Sequence, residues 1–285
     1  MERLVFDIGL NNGDDSAYYL HLGYRVVGIE ANPLLAAMSM QRFDREIRAG
    51  QMKVVNAGIL RESGEFIFNR SLQDDGWSTF ESDLIRKPEE WEQIRVRCMT
   101  TQQLIQEYGQ PYFIKVDIEA ADFQVLETLS LAIAPGYISL ELNLTDPFLD
   151  RLVSLGYSGF KFVDGETYRS TPPIFEHQIA WRMLRKAGRR FPILHNAICK
   201  LPKSLHPKQE WNPPGKYSPD SYAFTDHSSG PFGEQACGSW MTVDVASRWF
   251  KQLRSDYLRS SAASRLLWWD IHARHSKISR EDVAA

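Results

Sequence analysis

Cysteine is scarce in this chain. Its three residues, Cys98, Cys199 and Cys237, are odd in number and widely spaced, which fits neither a disulfide framework nor a zinc pattern. An excess of positive charge is also lacking. The 33 Lys and Arg stand against 36 Asp and Glu, for a net charge of -3 and a pI near 6.2. No general polyanion-binding role is thereby implied, and no nucleic-acid partner is expected. No apolar run approaches membrane-spanning length, so no membrane partner is expected either. The first apolar run begins almost at Met1 and leaves no room for a signal peptide, which makes the cytoplasm the expected location. There is no internal repeat. The 285 residues allow one sizeable α/β domain with insertions, or at most two small domains.

What is present starts with Asp7-Ile8-Gly9-Leu10-Asn11-Asn12-Gly13-Asp14, set between the apolar run Leu4-Val5-Phe6 and the helical pattern Ser16–Leu22. This reads as strand, glycine-bearing turn and helix. A second apolar run, Arg25–Ile29, ends in Glu30. Glycines in a strand-to-helix turn let a ligand approach the backbone, and an acid at the tip of the next strand is placed to accept hydrogen bonds from ribose hydroxyls. A nucleoside-containing cofactor across the ends of a parallel sheet is the expectation. A pyrophosphate-binding turn keeps acids away from the helix N-terminus. Here Asp7 closes the strand and Asp14 opens the helix. Two carboxylates repel a pyrophosphate and attract an ammonium group. S-adenosylmethionine, with an α-ammonium, a sulfonium, a ribose diol and no phosphate, fits the Asp-x-Gly-x-Asn-x-Gly spacing at 7, 9, 11 and 13 better than NAD does. For the turn alone, an ordinary glycine turn with Asp14 as a first-turn acid stays open.

Strand and helix patterns alternate through the first half, the signature of a parallel sheet with covering helices. Strands are expected at 3–8, 25–30, 53–56, 65–68 (an edge strand), 94–99, 112–116, 137–142 and 159–163. Helices are expected at about 14–22, 33–48, 101–109, 121–131 and 147–155, with a long loop at 69–92. Residues 1–163 thus form a Rossmann-like core. Residues 164–240 are rich in proline and read as an inserted cap over the cofactor cleft, with a returning strand near Tyr222–Thr225. Residues 241–285 read as C-terminal helices, because Trp249, Phe250, Leu253, Tyr257 and Leu258, then Leu266, Leu267, Trp268 and Ile271, recur at helical spacing. The whole is read as one structural domain.

Three segments line up in order: Val5–Asp14, Val27-Gly28-Ile29-Glu30-Ala31-Asn32-Pro33, and Phe113-Ile114-Lys115-Val116-Asp117-Ile118-Glu119. Together they resemble the FkbM family of S-adenosylmethionine-dependent methyltransferases. Ser228-Ser229-Gly230-Pro231-Phe232-Gly233-Glu234 also resembles a stretch found in some members. The clear resemblance covers about residues 1–163. It implies a class I methyltransferase fold, α/β with a seven-stranded sheet whose last strand is antiparallel. It also implies methylation of a hydroxyl on a sugar, polyketide or similar small metabolite. The chain departs from the family at one point: members usually carry Glu-Gly after the fourth strand, whereas Glu119 is followed here by Ala120-Ala121-Asp122.

On this reading Asp7 holds the α-ammonium, directly or through water. Gly9 and Gly13 admit the methionine portion, with Asn11 and Asp14 hydrogen-bonding around it, and Glu30 takes the ribose diol. Asn32 either contacts the cofactor or caps the following helix. Asn56 borders the adenine or is a plain turn residue. Asp117 and Glu119 end the fourth main strand, where ligands bind in open α/β sheets, and alternation sends them to one side together with Lys115. A hydroxyl acceptor must lose a proton, and His227, Asp117 and Glu119 are the candidate bases, with Asp226 placed to orient His227. No His, Asp and Glu spacing suggests a metal site, so none is expected. The basic run Arg182–Arg190 is read as a solvated helix end, with an anion clamp as the sharper alternative. Trp268-Trp269 is read as core or dimer surface, which leaves a homodimer open. A small-molecule O-methyltransferase is the first choice, an N-methyltransferase the alternative, and an NAD-type oxidoreductase a distant third.

Overall fold

In the computed structural model the described residues are 3–85, 87–142, 147–165, 168, 170, 217–225, 228–259 and 269–278. The chain opens with β1 (Leu4–Ile8), α1 (Asp14–His21), β2 (Arg25–Glu30), α2 (Pro33–Arg42), α3 (Asp44–Arg48) and β3 (Met52–Asn56). These three strands lie side by side and parallel. The chain then leaves the sheet. β4 (Gly58–Ile59), β5 (Gly64–Ser71) and β6 (Trp91–Met99) build a separate three-stranded sheet. After α4 (Thr101–Tyr108) it returns as β7 (Phe113–Val116) on the other side of β1. α5 (Asp122–Glu127), β8 (Tyr137–Glu141), α6 (Phe148–Ser154), β9 (Tyr157–Asp164), α7 (Val243–Arg259) and β10 (Trp269–His275) complete the described elements.

The main sheet has seven strands in the order β3-β2-β1-β7-β8-β10-β9, with β10 antiparallel to both neighbours. This is the sheet that the resemblance implies. Its order reverses between β1 and β7, and the crevice at such a reversal is where open α/β sheets hold ligands. Local chemistry fixes the ends of the covering helices. Asn32 caps α2 by accepting from the Leu34 N–H at 3.0 Å, with Pro33 in the first turn. Thr100 and Gln103 form a reciprocal capping box on α4. Among the described residues no helix is long and apolar enough to cross a membrane.

Several expected boundaries move. The helix expected over 33–48 breaks at Phe43, whose buried ring packs against Gly13. The helix expected over 121–131 ends at Glu127. β6 starts at Trp91 because it pairs with the full length of β5, Ser71 opposite Trp91. Residues 222–225 form no strand, and the C-terminal region is not all helical. The strand that returns into the sheet is Trp269–His275. Trp269-Asp270-Ile271-His272-Ala273-Arg274 alternates apolar and polar residues with period two, the pattern of a strand. Trp269, Ile271 and Ala273 join the main apolar cluster, where the Trp269 ring meets Trp249 of α7 edge-on at 5.5 Å. Trp269 is therefore core.

The other face of β10 continues a buried polar row. Asp7 pairs in register with Lys115, Lys115 with Ser139, Ser139 with His272, and His272 with Lys161. All five are buried. The segment Ser228–Ala236 covers this face. Its Phe232 ring stacks on Phe113 at 3.8 Å, and its Gly233 and Ala236 carbonyls accept from the Lys161 ammonium at 3.1 and 2.6 Å. The Ser228–Glu234 motif thus does the packing work of a covering helix without being one.

His272 has no hydrogen-bond partner at either ring nitrogen among the described residues. Burial, with the nearby Lys161 charge, pushes its pKa down to about 3. A histidine depressed below its unfolded value near 6.5 binds its proton in the unfolded state first. Its titration therefore adds no cost at neutral pH, and stability falls as pH drops from about 6.5 toward 3. His272→Leu should flatten the decline of folding free energy over that window by up to about 1.4 kcal/mol per pH unit relative to the parent. Urea unfolding at pH 7, 6 and 5 measures it, and parallel slopes for the two proteins would refute the assignment.

Candidate functional site

A cleft of about 320 Å³ opens where β1, β2, β7 and β8 end. Its walls are the turn Ile8–Asn12, Glu30-Ala31 at the tip of β2, Ala57–Ile59, the side-sheet loop Asp74–Ser78, and the acids that follow β7 and β8. The turn after β1 consumes its own donors. The Gly9 and Leu10 N–H groups both donate to the Ile29 carbonyl at 3.0 Å, and Gly13 N–H donates to Leu10 at 2.8 Å. Asn11 N–H donates to the Glu30 carboxylate at 2.8 Å, and Asp14 N–H to the Asn12 side chain at 3.0 Å. Arg42 clamps the turn from outside, donating to the Asn12 carbonyl and to Asp14. A cradle of free N–H groups, which a diphosphate needs, is not offered by these five.

Glu30 receives a second backbone donor, Asn32 N–H at 2.7 Å. Its two carboxylate oxygens are thus each fixed by one hydrogen bond, and each keeps acceptor capacity toward the cleft. Burial pushes its pKa up to about 7 against the pull of those two donors. Asn32 also donates to Asp75 at 3.2 Å, which ties the side-sheet loop to the tip of β2. Asn56 donates to the Glu30 and Ala31 carbonyls at 2.8 and 3.2 Å.

Beneath the turn lies Lys115. Its buried ammonium meets Asp15 at 3.0 Å, Asp7 at 3.4 Å and Asp117 at 3.4 Å, and donates to the Gly9 carbonyl at 3.3 Å. Burial alone would lower its pKa, but the carboxylates of Asp7, Asp15 and Asp117 hold it well above the usual value. Asp7 is fully buried, hydrogen-bonded by Ser16 at 2.7 Å, and does not line the cleft. Burial, offset by Lys115, pushes its carboxyl up to about 6. The expectation that Asp7 holds an ammonium directly is corrected accordingly: the ammonium it meets is that of Lys115. Asp15 bridges Lys115 to the covering segment, accepting from the Ser228 hydroxyl and from Ser229 N–H at 2.9 Å.

The glycines also have internal explanations. Gly9 sits at φ +86, and a side-chain carbon there would lie 1.8 Å from the Asp117 carbonyl oxygen. Gly13, at φ +83, faces the Phe43 ring at 2.4 Å by the same measure and is not in the cleft wall. Both positions need glycine for chain-to-chain approach, so neither needs a bound ligand to account for it.

Past β7 the chain turns through two consecutive non-glycine residues with positive φ, Glu119 (44) and Ala120 (70). The Thr79 hydroxyl donates to the Glu119 carbonyl at 2.9 Å and pins this turn. One carboxylate oxygen each from Asp117, Glu119 and Glu141 lies within 4.8 Å of the others. Burial pushes Glu119 up to about 8, reinforced by Asp117 and Asp122, and Glu141 up to about 10, reinforced by Asp117 and Glu119. Strand-end spacing in the sequence does not show this group, since Glu141 comes from a different strand.

Of the residues singled out from the sequence, Gly9, Asn11, Asp14, Glu30, Asp117 and Glu119 border the cleft. Asp7, Gly13, Asn32 and Asn56 stand behind the wall and hold it. His227, Asp226, Arg182–Arg190 and Trp268 lie outside the described residues. Three features escaped the sequence: Asp15, Glu141 and the Asp74–Ser78 loop with Trp77. The loop's signal was a tryptophan in an otherwise polar stretch.

A family model described as the methyltransferase FkbM domain matches residues 7–191. Solved structures with similarity include StiE O-MT (10% identical, TM-score 0.39, 99% of this chain and 70% of that one). They also include phosphoethanolamine N-methyltransferase 2 of Haemonchus contortus (11%, TM-score 0.37, 96% and 49%) and precorrin-6y C5,15-methyltransferase of Geobacter metallireducens (14%, TM-score 0.30, 60% and 73%). No curated protein matches.

Removing one member of a buried charge group strands the others. Lys115→Met should lower folding stability by about 3–5 kcal/mol in urea unfolding at pH 7. Adding Asp7→Asn to Lys115→Met should recover part of the loss. If the double variant is no more stable than Lys115→Met, Lys115 is not coupled to Asp7.

Proposed function

The chain belongs to the FkbM methyltransferase family and uses S-adenosylmethionine, and we propose that it methylates a hydroxyl oxygen of a small metabolite, of sugar or polyketide type, in the cleft between β1 and β7. The observation that carries the reading is the turn beside Glu30, where five backbone N–H groups are already spent on protein acceptors. A phosphate finds few donors there, whereas ribose hydroxyls find a carboxylate already oriented by two backbone N–H groups.

The residues fit such a cofactor. Glu30 takes the ribose diol, and the wall at Ala57-Gly58, held by Asn56, borders the adenine. The methionine portion lies along Gly9–Asn12, where Asp14 and Asp117 supply negative potential for the ammonium. Hydrogen bonds from Thr225 and Arg42 overcome burial and hold Asp14 below the usual carboxylate range, so it stays ionised. Bound there, the cofactor supplies an electrophilic methyl group on a sulfonium.

The chain must orient the acceptor, exclude water and receive its proton. Asp117 and Glu119 stand at the strand ends that face the cleft, and a free carboxylate oxygen of either can accept the hydroxyl proton. His227 remains a third candidate base. An amine acceptor is the second reading, because carboxylates attract ammonium groups. The same carboxylates favour the protonated amine, however, and a protonated nitrogen has no lone pair with which to attack. That favours the hydroxyl.

Thermal shift should show stabilisation by S-adenosylmethionine and by its demethylated product, and none by NAD. Glu30→Gln should weaken binding of the cofactor by on the order of 2 kcal/mol, some thirtyfold, while melting of the free protein stays within a few degrees. Unchanged affinity removes Glu30 from the ribose. Acceptor pairs that differ only in hydroxyl against amine decide the chemistry: methylation confined to the amines would replace this reading with the second one.

A further inference from the structure

We propose that Asp117, Glu119 and Glu141 bind a hard divalent cation of the magnesium and manganese class at the acceptor end of the cleft. The three carboxylates come from two neighbouring strand ends, two after β7 and one at the end of β8. They offer one oxygen each, all mutually within 4.8 Å. Oxygen ligands held about 2.0–2.5 Å from such a cation lie about 3–5 Å from one another. An all-carboxylate set suits magnesium, manganese or calcium and not a soft metal. All three residues line the cleft, so an ion reaches them from solvent.

A second observation points to a ligand independently of the cluster. Asp270 of β10 sits directly opposite Glu141 in the antiparallel pair, on the same face of the sheet. It is 4% exposed, and its Oδ2 has no hydrogen-bond partner. Asp122, at the start of α5, is equally buried with Oδ1 unpartnered. Both lie close enough to Asp117 to feel its charge. Five acids therefore converge on one corner. Among the described residues the ion pair that reaches any of them is Lys115 to Asp117, and Lys115 is already shared with Asp7 and Asp15. Buried carboxylates in this number are neutralised either by protonation or by a counter-charge, and a cation is the counter-charge that this geometry can hold. The free oxygens of Asp270, opposite Glu141, and of Asp122 can accept hydrogen bonds from water that such a cation retains.

The role of the cation rests on the proposed function. A divalent ion beside an acceptor hydroxyl lowers the pKa of that hydroxyl. Each ligand uses one oxygen, which leaves the other oxygen of Glu119 or Asp117 to receive the proton.

The test uses the full chain, stripped with a chelator and then titrated with manganese chloride while the paramagnetic signal of the free ion is followed. One ion should bind per chain, magnesium chloride should displace it, and manganese should raise the melting temperature. Glu119→Gln and Glu141→Gln each remove a charge without changing shape. Both should fold at least as well as the parent without metal and should bind manganese at least tenfold more weakly. Asp83→Asn, at an exposed acid away from the cleft, should leave binding unchanged. No manganese uptake at millimolar concentration, or equal uptake by the two Gln variants, overturns the inference. Binding of the demethylated cofactor is measured on the stripped protein in parallel. If that binding persists while manganese fails, the cation site falls and the proposed function stands. If it is lost whatever the metal does, the proposed function falls instead.

Discussion

The ammonium of Lys115 is the contact on which the site depends. It joins the end of β1 through Asp7, the start of α1 through Asp15 and the end of β7 through Asp117, and it holds the Gly9 carbonyl as well. These are the elements that border the reversal in strand order. Buried ion pairs of this sort add little net stability, because desolvation offsets the attraction. What they provide is a fixed arrangement, since any relaxation of the turn after β1 leaves a charge without a partner. The covering segment is fastened to the same hub, because Asp15 also receives Ser228 and Ser229. The turn, the sheet reversal and the cover are therefore one electrostatic unit.

From that unit follows the selectivity of the turn. Held against Ile29 and Glu30, the N–H groups of Gly9, Leu10 and Asn11 are spent on protein acceptors. The cleft wall carries the acids Asp14, Glu30, Asp117, Glu119 and Glu141. The preference for a cationic nucleoside over a diphosphate thus arises twice, from the acids themselves and from the spent donors. Only the first source is written in residue identities. The second is a property of the folded backbone.

The alternation of strands and helices and the position of Glu30 were legible in the sequence, because each is a local pattern, whereas the seven-stranded sheet was implied only by the family resemblance and its strand order comes from the fold. The glycines led to the right crevice for an incomplete reason: Gly9 is required by the Asp117 carbonyl and Gly13 by Phe43. β10 was hidden because Leu266, Leu267 and Ile271 happen to fit a helical period, while the true signal was the strict alternation from Trp269 to Arg274. Glu141 and Asp270 were hidden for a deeper reason. They are 129 positions apart (270 − 141) and become neighbours only through the antiparallel pairing of β10 with β8. No spacing rule in one sequence carries that information. The same holds for Asp15, whose burial depends on a segment more than 200 residues later.

The acidity of the corner after β7 and β8 sets a condition on the chemistry. Transfer of a methyl group from a sulfonium to oxygen moves positive charge off sulfur on the way to the transition state. Uncompensated carboxylates nearby stabilise the cationic ground state more than the transition state, and differential binding of that sign slows a reaction. A site with Asp117, Glu119, Asp122, Glu141 and Asp270 all ionised and unpaired would therefore hold the cofactor well and turn it over poorly. Protonation relieves the repulsion but withdraws the bases. A divalent counter-ion relieves it while keeping the carboxylates ionised and close to the acceptor. Of the two ways to neutralise this corner, the second keeps Asp117 and Glu119 available as bases and uses the geometry in which three carboxylate oxygens converge.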